Sequence, residues 1–151
     1  MSEVKIRKAI QKDIPSLLLL LQQLFSIEED FTFVPDRQQA GLLLLLSKTN
    51  AIVVAAEKDD KIIGMATGQL VISTAEGGAS LWIEDVVVDK QHQKRGIGSQ
   101  LLLEVAAWGK EQGARRTQLL ADKNNSTAIR FYKNNNWQQT ALICLRKYHQ
   151  V

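Results

Sequence analysis

One cysteine in 151 residues cannot close an internal disulfide, so no covalent staple is available to the fold. Cys144 sits between Ile143 and Leu145 in an apolar run, which reads as a buried structural thiol rather than a nucleophile. Long hydrophobic runs are missing too. Leu17 to Leu21 and Leu42 to Leu46 fall far short of the roughly 20 apolar residues that a membrane helix needs. The opening residues Ser2, Glu3 and Lys5 are polar where a secretory leader would turn apolar, so a cytoplasmic protein without a membrane partner is expected. The basic residues do not form one block. The 19 basic and 16 acidic residues leave a net charge of +3, and no Lys/Arg run alternates with aromatics, so no nucleic acid partner is expected. His92 and His149 are far apart and imply no metal. There are no internal repeats and no low-complexity linkers.

What is present, 45% hydrophobic and 23% charged residues, suits one globular domain spanning residues 1–151. Val4, Ile6 and Ala9 alternate with basic residues as a short first strand. Asp13, Ile14 and Pro15 open a helix that runs toward Phe25, and a second helix follows Pro35 through the Leu42 to Leu46 run. Ala51 to Glu57 and Lys61 to Thr74 form a hairpin around Lys58, Asp59 and Asp60. Leu81 to Val88 is a strand carrying two adjacent acids, Glu84 and Asp85, which point to opposite faces unless a bulge intervenes. Leu101, Leu102, Val105, Ala106 and Trp108 recur at helical spacing up to Gly113. Thr117 to Ala121 is a strand, Asn125 or Ser126 caps a helix, Asn136 takes the left-handed conformation after it, and Ala141 to Arg146 closes the chain as a last strand. Trp82, Trp108 and Trp137 each lie within an element and read as packing residues. Strands and helices in this order imply a mixed α/β (α+β) protein, a sheet flanked by helices.

The segment from Val86 to Ser99 is a strand, a glycine turn and a helix start. The unpaired N–H groups of such a start attract phosphate, and glycines let its oxygens approach the backbone. Lys94 and Arg95 add charge. A kinase-type phosphate loop would need Gly-Lys-Ser/Thr where Gly98, Ser99 and Gln100 stand. A dinucleotide fingerprint would need a small residue where Leu101 stands.

Gln93, Lys94, Arg95, Gly96, Ile97 and Gly98 resemble the Gln/Arg-x-x-Gly-x-Gly/Ala acetyl-CoA motif of the GNAT superfamily of N-acetyltransferases, and the order of elements is similar. A second signature follows about thirty residues on: Asn125, Ala128, Phe131 and Tyr132 are similar to that family's Asn-x-x-Ala-x-x-Phe-Tyr helix. Asn136 replaces its usual glycine, and Trp137 stands where the family has an aromatic residue. The resemblance implies a central, mostly antiparallel sheet of six to seven strands with a splayed fourth and fifth pair, flanked by about four helices. It further implies acetyl-CoA as co-substrate, with its diphosphate on the backbone of Gln93 to Ser99 and its pantetheine arm beside Val86, Val87 and Val88, pairing with Val86 and Val88. The reaction it implies is acetyl transfer to a primary amine of a small molecule or peptide, by direct attack in a ternary complex.

An alkylamine with a pKa near 10.4 gives up its proton at pH 7 at a cost of roughly 4 to 5 kcal/mol, so some group must take it. Glu84 lies in the right strand and resembles the family's glutamate, acting directly or through water. The N–H of Val86 or a neighbour suits the oxyanion, and Tyr132 the leaving thiolate. Glu28, Glu29 and Phe31, together with Glu84, stand where such a fold receives the acceptor, and the acids suit a cationic amine. The same glycine turn without Glu84 and Tyr132 chemistry would serve a non-catalytic acyl-CoA sensor, and pairing of edge strands would give a homodimer.

Overall fold

The computed structural model describes residues 2–28 and 30–150. They fall into two compact units, one ending at Leu119 and one beginning at Leu120.

The first unit is a five-stranded sheet in sequence order. Strands β1 (Lys5–Lys8), β2 (Ala51–Lys58), β3 (Lys61–Ser73) and β4 (Gly78–Val88) pair antiparallel, while β5 (Thr117–Leu119) joins β4 in parallel. The hairpin between β2 and β3 turns on Asp59 and Asp60, whose φ angles of 51° and 61° are the pair that a two-residue hairpin loop requires.

Helices α1 (Ile14–Ile27) and α2 (Pro35–Ser47) each carry proline in the first turn, where its missing N–H costs nothing. Leu17, Leu20, Leu21 and Leu42 drive them onto one sheet face against Val53, Ala55, Met65 and Val87. Burying each such side chain contributes about 1.5 to 3 kcal/mol. The entry to α1 is tied down by Arg7, which donates to both oxygens of buried Asp13 at 2.8 and 3.0 Å.

Helix α3 (Ile97–Glu111) covers the opposite face with Leu101, Val105 and Trp108. It rides close to the sheet because a Cβ on Gly64 would meet Leu101 Cδ1 at 3.1 Å and one on Gly68 would meet Val105 Cγ1 at 2.7 Å. Only the absence of side chains at these two strand positions permits that approach.

The second unit holds α4 (Ser126–Asn134). Asn125 caps it, its Oδ1 accepting from Ala128 N at 3.0 Å, and Asn136 ends it at φ 68°. The closing strand expected over Ala141–Arg146 is not formed. These residues have no regular structure, Leu142, Ile143 and Leu145 are 81%, 81% and 86% exposed, and Cys144 is exposed rather than buried. The expected six to seven strands are therefore five, because an apolar run becomes a strand only where an edge pairs with it. The four α-helices agree with the expected number.

Candidate active site

The feature that builds the site is a bulge in β4. Met65 faces Val87 across the ladder and Thr67 faces Glu84, so Ala66 alone opposes two residues, Asp85 and Val86. Asp85 sits at φ 55°, left-handed, as the extra residue of a bulge commonly does. In a regular strand it would turn away from Glu84, but here Thr67 Oγ1 donates both to the carbonyl oxygen of Glu84 at 3.1 Å and, in a longer contact, to Asp85 Oδ2 at 3.5 Å. Thr67 is buried on the face of Met65, the face covered by α1. The bulge thus brings both carboxylates to one side.

Their environments differ. Glu84 is exposed. Asp85 is pushed up to about 7, first by burial and then by the negative charges of Glu84 and Glu28, with only the Thr67 hydroxyl favouring its ionised form. Glu28, just past the end of α1, is thus near enough for its charge to act on Asp85. Phe31 packs against Phe25 with ring centroids 5.6 Å apart. Glu29 lies outside the described residues.

Strand β5 pairs with β4 only at Leu81, Trp82 and Ile83. From Glu84 to Val88, β4 runs on with no strand paired on that side among the described residues. Val87 is buried in the core, while Val86 and Val88 are half-buried.

Beyond Val88 the chain is tightly held. Asp89 accepts from Gln91 N at 3.3 Å and from Gln23 Nε2 at 2.8 Å, and lies 3.1 Å from His92 Nδ1. These bonds, that from Gln23 foremost, hold its carboxyl below the usual range. Gln93 Nε2 donates to Val88 O at 3.0 Å, so the first motif residue braces the turn with its side chain. Lys94 and Gly96 then adopt φ 63° and 79°. Left-handed residues in such a turn aim successive N–H groups into one concavity suited to an anion. Gly96 precedes α3 without any side-chain cap, and the space where its Cβ would stand is open. The N–H groups of Ile97, Gly98 and Ser99, in the first turn, have no acceptor within the helix. Residues and space fit a diphosphate.

In the second unit Tyr132 packs edge-on to Phe131 at 5.2 Å and to Trp137 at 5.9 Å, and Trp137 N donates to Tyr132 O at 3.0 Å. Asn125, Ala128, Phe131 and Tyr132 thus belong to one capped helix. Lys123, from the turn before α4, with Arg130 and Lys133 on α4, lines a hollow of about 330 Å³. No group of three or more His, Cys, Asp or Glu suited to a metal lies among the described residues.

Sequence reasoning missed Gln23 and Thr67, and the left-handed backbone of Lys94, whose place in the turn it had. Gln23 is 66 residues from Asp89 in the chain. Thr67 looks like any strand threonine, and Lys94 is a residue type that seldom takes a left-handed φ.

A strand with a bulge, a glycine turn and an uncapped helix start follow one another in this fold. The model of the acetyltransferase (GNAT) family matches residues 17–137, and the chain belongs to that family. The aminoglycoside N-acetyltransferase AAC(6')-Iy in complex with CoA is 18% identical with a TM-score of 0.87, covering 99% of this chain and 97% of that one. An aminoglycoside acetyltransferase from an uncultured soil metagenomic sample, in complex with trehalose, is 25% identical with a TM-score of 0.78 over 98% and 97% of the two chains. An acetyltransferase predicted in Clostridium acetobutylicum, with acetyl-CoA, is 19% identical with a TM-score of 0.80 over 96% of each chain. No curated protein matches the chain in sequence.

Proposed function

We propose that residues 1–151 act as one catalytic domain that transfers the acetyl group of acetyl-CoA to a primary amine of a small molecule or peptide. The observation that carries this reading is the turn in which left-handed Lys94 and Gly96 lead into the uncapped start of α3. In this reading the backbone of Gln93 to Ser99 holds the diphosphate, Val86 and Val88 pair with the pantetheine arm beside Val87, and the second-unit residues Asn125, Ala128, Phe131 and Tyr132 also contact the cofactor. Glu84, directly or through water, takes a proton from the ammonium, whose positive charge Glu28, Glu29 and the Phe31 ring help to receive. The amine nitrogen attacks the thioester carbon, the Val86 N–H steadies the oxyanion, the C–S bond breaks, and Tyr132 protonates the thiolate. The exposed Leu142, Ile143 and Leu145 support pairing of two copies.

The experiment is a screen of aminoglycosides, polyamines and N-terminal peptides that detects released CoA thiol. Transfer to at least one amine is expected, with Tyr132→Phe slowing thiol release at unchanged acetyl-CoA affinity. Tight acetyl-CoA binding with no transfer to any amine would replace this reading with a sensor module.

A further inference from the structure

We propose that Asp85 is a second proton acceptor of the acetyl transfer, taking from the nitrogen the proton that Glu84 does not. The inference rests on the acetyltransferase reading and deepens it. Each turnover converts an ammonium with three protons into an amide with one, so two protons leave the nitrogen. One carboxylate accommodates only one of them at a time. The first leaves the ammonium and frees the lone pair. The second leaves the cationic nitrogen of the tetrahedral adduct after the N–C bond has formed, and its removal keeps the amine from being expelled in place of the thiolate.

The bulge is what supplies a second carboxylate. By placing two residues of β4 against Ala66 it turns Asp85 onto the face that Glu84 already occupies, and Thr67 Oγ1 touches both residues. Glycine or asparagine would hold a φ of 55° at lower cost than aspartate. Nor does the fold use the charge. Asp85 is desolvated, faces Glu84 on its own strand and Glu28 beyond α1, and has no cation among the groups that shift it. A half-buried, largely desolvated acid with two like-charged neighbours, and no cation acting on it among the described residues, is unfavourable for folding and well suited to gain a proton from a bound cation. Its ionisation near neutral pH is where a general base is most effective.

In the sequence of steps, exposed Glu84 takes the ammonium proton and passes it to water. Asp85 takes the adduct proton as the C–S bond breaks. Tyr132 protonates the thiolate and is itself reprotonated from water, and Asp85 then releases its proton to water. One proton ends on the thiol and one in solution.

The test is the pH dependence of kcat/KM, from pH 5 to 9, for the amine most rapidly acetylated in the screen. Wild type should show an ionisation near 7 that Glu84→Gln moves to lower pH, by removing a like charge, and that Asp85→Asn loses, with kcat falling at least 10-fold in Asp85→Asn, acetyl-CoA affinity unchanged, and Asp85→Glu recovering part of the rate. A profile for Asp85→Asn parallel to wild type would overturn the role of Asp85 while leaving the acetyltransferase reading intact. Absence of any transfer by wild type would remove that reading, and this inference with it. Should Asp85→Asn fail to fold, carboxyl 13C titration of wild type decides instead: ionisation of Asp85 near 4 would refute the proposal, and ionisation near 7 that shifts down when the amine is added would support it.

Discussion

Gln23 on α1 holds Asp89 and its neighbour with both ends of one amide, Nε2 donating to Asp89 Oδ1 at 2.8 Å and Oε1 accepting from Lys90 N at 3.2 Å. The helix and the segment that leads into the glycine turn are thereby joined across 66 residues of chain. Gln23→Ala should cost about 1 to 2 kcal/mol of stability by the loss of these bonds. The carboxyl of Asp89 is depressed in the folded state, so its contribution is present above its unfolded value and is lost as pH falls through the folded one. The deficit of Gln23→Ala, read by denaturant unfolding, should therefore be largest near pH 7 and shrink only as pH falls below the ordinary aspartate value of 3.8 and through the lower folded one. A deficit independent of pH would show that the amide does not act through Asp89.

Two helical glycines should respond to alanine with opposite sign. Gly41 in α2 has nothing within 4 Å of the place a methyl would take, so Gly41→Ala should stabilise by up to about 1 kcal/mol through helix propensity. Gly109 in α3 would set its methyl 2.6 Å from Leu81 Cδ2 and 3.3 Å from Leu81 Cβ, and Leu81 is fully buried. Overpacking of about 1 to 3 kcal/mol outweighs the propensity gain there. Thermal unfolding of both variants checks the sign.

At the cofactor turn, Gly98→Val should lower acetyl-CoA affinity at least 10-fold in calorimetry. Gly96→Ala should do so more mildly, because a left-handed φ of 79° costs alanine about 1 kcal/mol. Unaltered affinity in Gly98→Val would remove the diphosphate from this turn.

Asp85 also makes a prediction about stability. Its folded value, about 7, lies above the ordinary aspartate value of 3.8, so its contribution is fully favourable below pH 4 and is lost as pH rises through 7. Asp85→Asn should therefore be more stable than wild type at pH 8, by up to about 4 kcal/mol, and equal to it near pH 4. Equal melting temperatures at pH 8 would contradict the burial of a charged carboxylate.

The exposed C-terminal run predicts self-association. Leu142→Asp with Ile143→Asp should convert a dimer to a monomer in light scattering, at unchanged helix content by circular dichroism. A wild-type monomer at micromolar concentration would end this expectation.

The local features of the fold were legible because their causes are local. Pro15 and Pro35 opened helices, Asp59 and Asp60 turned the hairpin, Asn125 capped α4 and Asn136 ended it, each through its own backbone preferences. What escaped depends on partners distant in the chain. The face of Asp85 is decided by register against Met65 and Thr67, which alternation within β4 cannot encode. Apolar character at Leu142, Ile143 and Leu145 predicted a strand and a buried Cys144, yet pattern alone does not provide the edge on which a strand forms. Lys94 was placed in the turn by its motif position, while its left-handed backbone, at φ 63°, is not a preference that lysine carries in its own side chain.

Helix α1 carries Gln23 on the cofactor turn and, just past its last residue, Glu28 facing Asp85. A shift of this one rod along its axis moves both grips at once. Under the proposed function, binding at the glycine turn and binding of the amine should be coupled through α1, and by thermodynamic reciprocity each substrate should alter the other's dissociation constant by the same factor.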